Sequence, residues 1–323
     1  MDSRADTPLR LPALQLRARL YRLIREFFAE RGVLEVETPI LSMAGNTEPN
    51  IESFCATFSG HVDAGVRERW LRTSPEHALK RLLAAGVGDC YELGRVFRNG
   101  EAGRRHNPEF SMLEWYRLGF DHRRLLTETV RLVQAAMALA DRRGELRIVS
   151  YRELFREDLR LDPFTAEPEA LHEALGRGVI DPTGLERDDW LDLLISHRLQ
   201  ATFPADRITV VHDFPASQCA LARIRPGEPP LAERFELYLG PYELANGYHE
   251  LNDAREQRQR FQHDNARRRA RGQREMPVDE KLLAVLDRLP DCAGVALGIE
   301  RLLMCLVGTD TIADVLAFDF SAA

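Results

Sequence analysis

The 323-residue sequence predicts an α+β fold, a sheet flanked by helices, and three observations carry that expectation. The first is a pair of strand signals within residues 90–117, on either side of a polar, arginine-rich loop. The second is the return of strand signals in RITVVHDF (207–214), RFELYLG (234–240) and YELANGYHEL (242–251). The third is apolar spacing of helical period before, between and after those strands. Nothing repeats and no linker divides the chain. Residues 12–323 are therefore expected to form one domain behind a loose N-terminus, residues 1–11.

Each element has its own warrant. From Pro12 to Arg31, Leu16, Leu20, Leu23, Ile24, Phe27 and Phe28 recur at helical spacing among Arg and Glu, and Gly32 stops the helix. VLEVETPIL (33–41) reads as a strand ended by Pro39. Residues 42–65 are loop-like, and 69–86 read as a short strand, a turn and a helix. Residues 121–200 are expected to be a helical insertion with breaks at Pro163, Pro168 and Pro182. A helix from Asn252 to Arg271 carries seven arginines, Arg255, Arg258, Arg260, Arg267, Arg268, Arg269 and Arg271. It could dock an acidic partner, or be a solvated face whose Glu and Gln dilute the charge. GVALGIERLLMCLVG (294–308) is a glycine-rich strand turning into a short apolar core helix.

Bulk properties narrow the class. Hydrophobic residues make up 44% and charged residues 29%, as in an ordinary globular enzyme. A net charge of −7 argues against a duplex-coating nucleic-acid binder, which needs clustered Lys and Arg. Five scattered cysteines without a C-x-x-C pair point away from a disulfide framework or zinc site. No apolar run suits a signal peptide or the roughly 20 residues of a membrane span. A cytoplasmic, reduced, soluble protein is expected.

Three segments carry chemistry when taken together: GVLEVETPIL (32–41), GRVFRNGEAGRRHNPEFSMLEWYR (94–117) and GVALGIERLL (294–303). In order, and with TSPE (73–76) and ELANGYHELND (243–253) in place, they resemble motifs 1, 2 and 3 of class II aminoacyl-tRNA synthetases. The resemblance covers nearly the whole chain and is nearest to the lysyl branch, in particular its paralogs that lack an anticodon-binding domain. It implies the class II catalytic domain, with a mixed, mostly antiparallel sheet cradling ATP, and a motif 1 homodimer.

Physical chemistry agrees with that family's reaction. Joining a carboxylate to the α-phosphorus of ATP brings two anions together. The nucleophile is ionised already, near pKa 3 to 4, so the site must supply positive charge and alignment rather than a general base. Arg98 and Arg301 suit this catalytic task. By resemblance, Arg98 holds the α-phosphate, while Arg301 meets the γ-phosphate and adenine. Asn99, Gly100, Asn107, Phe110, Glu243, Leu244 and Gly298 complete the implied ATP site, with Phe110 stacking on adenine. Glu236 and Glu243 are the implied Mg²⁺ carboxylates. The amino-acid pocket is read from Ser74, Pro75, Glu76, Tyr116, Asn246, Glu250 and Ala296. Glu76 would take the ammonium near the substrate carboxylate, and Tyr116 with Glu250 the distal one. A buried carboxylate needs a partner, which a lysine-like diamine supplies twice. Aspartyl-type relatives would instead need an Arg at the side chain and carry Gln where Glu76 stands.

Two departures stand out. Relatives often read R-N-E where this chain has Arg98, Asn99, Gly100 and then Glu101. In motif 3, Ala296 replaces a glycine and Glu300 an aspartate. Neither end of the chain is expected to hold an anticodon-binding module, so tRNA is not the expected acceptor. The resemblance implies activation of (R)-β-lysine or lysine and its transfer to a lysine of elongation factor P. A truncated lysyl-tRNA synthetase and a lysine-sensing paralog are the alternatives.

Overall fold

The computed structural model describes residues 10–61, 63, 65–176 and 185–323. The expectations for residues 1–9 and for a break at Pro182 lie outside them. The strands are β1 (Leu34–Glu35), β2 (Leu41–Ser42), β3 (Cys55–Thr57), β4 (Glu68–Leu71), β5 (Cys90–Phe97), β6 (Glu109–Leu118), β7 (Leu146–Ser150), β8 (Ile208–Pro215), β9 (Ile224–Arg225), β10 (Leu231–Leu239), β11 (Tyr242–His249) and β12 (Cys292–Gly298). The helices are α1 (Leu11–Ala29), α2 (Glu76–Ala84), α3 (His122–Ala138), α4 (Tyr151–Leu159), α5 (Pro168–Leu175), α6 (Arg187–Leu194), α7 (Ala254–Ala270), α8 (Glu280–Leu286) and α9 (Ile299–Val307).

Among the described residues, one sheet runs β1-β5-β6-β12-β11-β10-β8-β7, with β9 added beside β10. The β1–β5 and β7–β8 pairs are parallel and the rest antiparallel. Successive side chains of a strand point to opposite faces. One face supplies Tyr91, Leu113, Trp115, Leu237, Ala245, Val295 and Leu297 to a core closed by α1, α3 and α9. The other face is left for polar chemistry over its central strands.

Two expectations are revised. The strand over 33–41 is interrupted: β1 pairs with β5, whereas β2 joins a separate sheet in the order β2-β4-β3. Pro39, lacking an N–H, cannot carry the ladder between them. The helical insertion is also shorter than 121–200. Leu125, Leu126, Val130 and Val133 of α3 enter the main core, and β7, with Ile148 and Val149, pairs along β8. What remains, α4 to α6, packs Tyr151, Phe155, Trp190 and Leu194 against Val211 and Phe214 of β8.

The arginines of α7 bind the helix to its own body. Arg258 pairs with Glu280 at 2.6 Å, Arg269 with Glu275 at 2.8 Å, and Arg260 donates to the carbonyl of Ala222 at 2.8 Å. Arg268, fully buried, meets Glu52 and the carbonyl of Glu48. Arg258, Arg260, Arg268 and Arg269 are thus engaged within the fold. Among the described residues no helix is long and apolar enough to cross a membrane.

Candidate active site

Register builds the site as rows across the sheet's polar face. Arg234, Tyr248, Gly294 and Tyr116 are cross-strand neighbours on β10, β11, β12 and β6. Two residues further along lies the row Glu236, Asn246, Ala296 and Glu114. The next pairs Gly298 with Met112.

The upper rows border a cavity of about 310 Å³. Arg98, Asn107, Phe110, Glu236, Glu243, Leu244, Asn246, Ala296, Gly298 and Arg301 all line it, joined by Arg105, Arg234 and Glu101. Arg98 lies over the Phe110 ring, 5.2 Å from its centre. Burial lowers the proton affinity of Arg98 against the pull of Glu101, and Arg301 adds to the lowering. Two guanidinium groups that repel each other in a cleft are a site for an anion. Arg301 donates to the Glu243 carbonyl at 3.1 Å and lies 2.8 Å from Nε2 of His106. Burial, then Arg301, holds His106 below its ordinary pKa, so its imidazole is neutral and accepts that bond.

Arg234 and Tyr238 both donate to Glu236. Burial pushes the Glu236 carboxyl up against the opposing Arg234, and Glu243 adds to the rise. Two acids beside four arginines suit a cation shared with phosphate oxygens. Each carboxylate keeps lone pairs for it. Among the described residues no cluster of three His, Cys, Asp or Glu could hold a metal alone. Mg²⁺ takes one or two carboxylates and completes its shell with phosphates and water. At Gly298, a methyl group would meet no protein atom within 4 Å, so packing does not demand glycine there.

The motif 2 loop differs in detail from expectation. Asn99 and Gly100 are exposed and lie off the cavity wall, with Gly100 at φ +83°. Glu101 borders the cavity instead, 3.8 Å from Arg98. The acidic group is thus moved one residue along the loop. The Asn107 amide donates to the Glu109 carbonyl at 2.7 Å and accepts from the Phe320 N–H at 2.9 Å, pinning the C-terminal segment to the loop.

Acids gather at the Tyr116 and Glu250 end of the face. Ser74, Pro75 and Glu76 border a second cavity of about 490 Å³ at the start of α2. One helical turn beyond Glu76, Lys80 Nζ lies 2.6 Å from Glu76 Oε1 and 2.6 Å from Glu250 Oε2. Tyr116 donates to Glu114 at 2.7 Å. Tyr116 and Glu250 flank Gly294, where a methyl would sit 2.3 Å from the tyrosine ring and 2.5 Å from Glu250 Oε1. Burial, then Glu76, pushes the Glu114 carboxyl far up. Apart from the Lys80 ion pair, both Glu250 oxygens and Glu114 Oε2 are buried without a hydrogen-bond donor among the described residues. Three acids around one ammonium have capacity for further cations.

A family model for class II tRNA synthetases (D, K and N) matches residues 7–321. The chain belongs to that family. Within it, the chain is 45% identical over 317 residues, 97% of this chain and 96% of the relative, to the elongation factor P–(R)-beta-lysine ligase of Enterobacter sp. (strain 638). It is 44% identical, with the same coverage, to proteins of that name from Salmonella paratyphi B and Salmonella gallinarum.

Several residues of this class II site went unread in the sequence, though a periodicity could have found them. Arg234 stands two before Glu236, and Glu114 two before Tyr116, which puts each pair on one strand face. Tyr248 lies midway between Asn246 and Glu250 on that face. Lys80 follows Glu76 by four residues, one helical turn. Arg17 and Glu300 form a structural tie, since Glu300 accepts from Arg17 and from the Ser111 N–H, both at 2.8 Å. That tie joins α1, β6 and the start of α9.

Proposed function

We propose that this enzyme activates (R)-β-lysine or lysine with ATP and transfers the aminoacyl group to a lysine side chain of elongation factor P. The observation that carries the reading is the placement of two unlike sets of side chains on one sheet face. Four arginines with Glu236 and Glu243 line one cavity, and Glu76 and Glu250 meet at Lys80 with Glu114 close by. The relatives' name supports the diamine and the acceptor. In the first step the substrate carboxylate oxygen attacks the α-phosphorus and the bond to pyrophosphate breaks. Arg98 and Arg301 meet the charge that gathers on the phosphates, and Glu76 and Glu250 hold the two ammonium groups. Mg²⁺, when bound by Glu236 and Glu243, would neutralise phosphate charge. In the second step the acceptor amine attacks the acyl carbon, AMP departs and the amine loses a proton.

The reaction belongs in the cytoplasm, where a translation factor works. We assign the active form as a homodimer, with Leu34 (54% exposed), Leu41 (52%) and Met43 as apolar surface for the second copy. Pyrophosphate exchange with both lysine isomers tests the activation step. Transfer to elongation factor P compared with tRNA tests the acceptor, and labelling of tRNA alone would overturn it. Sedimentation at micromolar concentration tests the dimer, and a monomer there would count against it.

A further inference from the structure

Arg234 lines the nucleotide cavity, yet its guanidinium is already engaged by the fold. It donates to Glu236 on its own strand, and its Nε donates to Asn246 Oδ1 on β11 at 3.2 Å. Its Nη1 donates to the Gln218 carbonyl at 2.9 Å, and the group lies over the Phe214 ring, 4.5 Å from its centre. Held on three sides and packed on a ring, the guanidinium has a fixed place. The amide it touches is half engaged: Oδ1 accepts from Arg234, while Nδ2 meets no acceptor among the described residues. Asn246 borders the cavity between Glu236 and Ala296 in one cross-strand row. Two N–H bonds are therefore left for whatever fills that place.

We infer that Arg234 is a positioning residue for the amino acid's carboxylate: by holding Asn246 Oδ1 it turns the amide's donors, rather than its carbonyl, toward that group. This rests on the reading of Asn246 as part of the diamino-acid pocket. In sequence along β11 and its end, Asn246 stands between Glu243 at the nucleotide cavity and Glu250 among the amine-binding acids. The carboxylate that must reach the α-phosphorus while its amines stay with those acids lies over that middle row. A carboxylate only accepts hydrogen bonds, so an amide presenting its oxygen would repel it. The wrong orientation has a partner at hand. Glu236 is the cross-strand neighbour of Asn246, and such pairs stand about 4.5 to 5.5 Å apart at Cβ. Without Arg234, Glu236 would draw the amide N–H bonds to itself and leave Oδ1 facing the substrate. Arg234 bonds both residues and so prevents that internal contact.

The test compares each amino acid with the diamine left when its carboxylate is removed: lysine with 1,5-diaminopentane, and (R)-β-lysine with 1,4-diaminopentane. Each pair keeps its ammonium spacing, so the comparison reads the carboxylate whichever isomer is preferred. Calorimetric titration without ATP or Mg²⁺ keeps metal binding by Glu236 out of the result. A hydrogen bond to a charged group contributes about 10- to 150-fold in affinity, and the wild type should favour the acid of its preferred pair by at least about tenfold. Arg234→Met should remove most of that preference, weakening the acid and leaving the diamine within about threefold. Adding Glu236→Met takes away the competing carboxylate, and an ion pair replaced by apolar groups is commonly tolerated. The double variant should recover most of the preference, and it decides the matter even where Arg234→Met alone fails to fold. With Asn246→Ala in place, Arg234→Met should change the preference by less than about threefold, whereas an undiminished loss would show the guanidinium acting directly and overturn the inference. Equal weakening of acid and diamine in Arg234→Met, no recovery in the double variant, or a wild type without preference would overturn it too. A wild type that binds no member of either pair would instead sink the proposed function, a distinguishable outcome.

Discussion

Gly294→Ala is the most direct probe of the amino-acid pocket. The added methyl would stand 2.3 Å from the Tyr116 ring and 2.5 Å from Glu250 Oε1. Ordinary contact begins near 3.4 Å, so the ring must retreat by roughly an ångström in a packed interior. Tyr116 is 2% exposed and its hydroxyl is tied to Glu114, so retreat breaks that bond or moves the acid. Overpacking of this kind costs about 1 to 3 kcal/mol. Where the cost falls on the bound state it weakens diamine binding about 5- to 150-fold, at 1.4 kcal/mol per tenfold. The nucleotide rows at Ala296 and Gly298 lie beyond the substitution, and KM for ATP should stay within about threefold, as for separated sites. The assay is pyrophosphate exchange, varying the diamine at saturating ATP and then the reverse, with a thermal melt alongside. A folded variant with an unchanged KM for the diamine would show that Gly294 does not border the pocket.

Changing Arg98 or Arg301 to Ala should slow pyrophosphate exchange at least about 10²-fold, the scale of a lost electrostatic contact in a transition state. Rates within tenfold of wild type would remove them from that role. Ala296, between Asn246 and Glu114 in one cross-strand row, should help select (R)-β-lysine. Ala296→Gly should then improve α-lysine selectively, by about 10- to 200-fold at most, and an equal change for both isomers would dispose of the idea. Asp264, outside the site, gives a pH test: burial and then Glu48 push its carboxyl from 3.8 up to about 6, against a bond from Thr47. The folded state thus binds that proton more tightly than the unfolded chain. Its stabilisation is complete below about pH 4 and lost as the pH rises through about 6. Asp264→Asn should therefore match wild type in urea denaturation near pH 4 and exceed it at pH 7.5 by up to about 3 kcal/mol. A wild type as stable as the variant at pH 7.5 would refute the assignment.

The motif residues were legible because their type and order carry the chemistry. Arg98, Arg301, Glu236 and Glu243 do meet in one cavity, and Glu76 and Glu250 meet on one ammonium. Other features could not be read locally. The bond from Phe320 to Asn107 joins residues 213 apart, and no periodicity reports such a distance. Lys80 sits in an amphipathic helix among charged neighbours, where a lysine defaults to the surface; its burial depends on an acid of β11's extension, far along the chain. Helix α3 looked like part of an insertion because its own pattern is complete; only the sheet it lands on makes it core. The short β7 was hidden among helices, since five residues beside a turn give little periodic signal.

The alternation of strand faces has a consequence for how this scaffold can change. Tyr116, Gly294 and Tyr248 point one way, while Trp115, Val295 and their neighbours point the other into the packed layer beneath. Substitutions at every second position of β6, β11 and β12 can thus rewrite which amine is admitted without disturbing the hydrophobic layer that keeps the sheet folded. Arg98, Glu243 and Arg301, which line the nucleotide cavity, lie outside the row of Tyr116, Gly294 and Tyr248. A library confined to positions 116, 248 and 294 would therefore explore amine selectivity while leaving Arg98, Glu236, Glu243 and Arg301 in place.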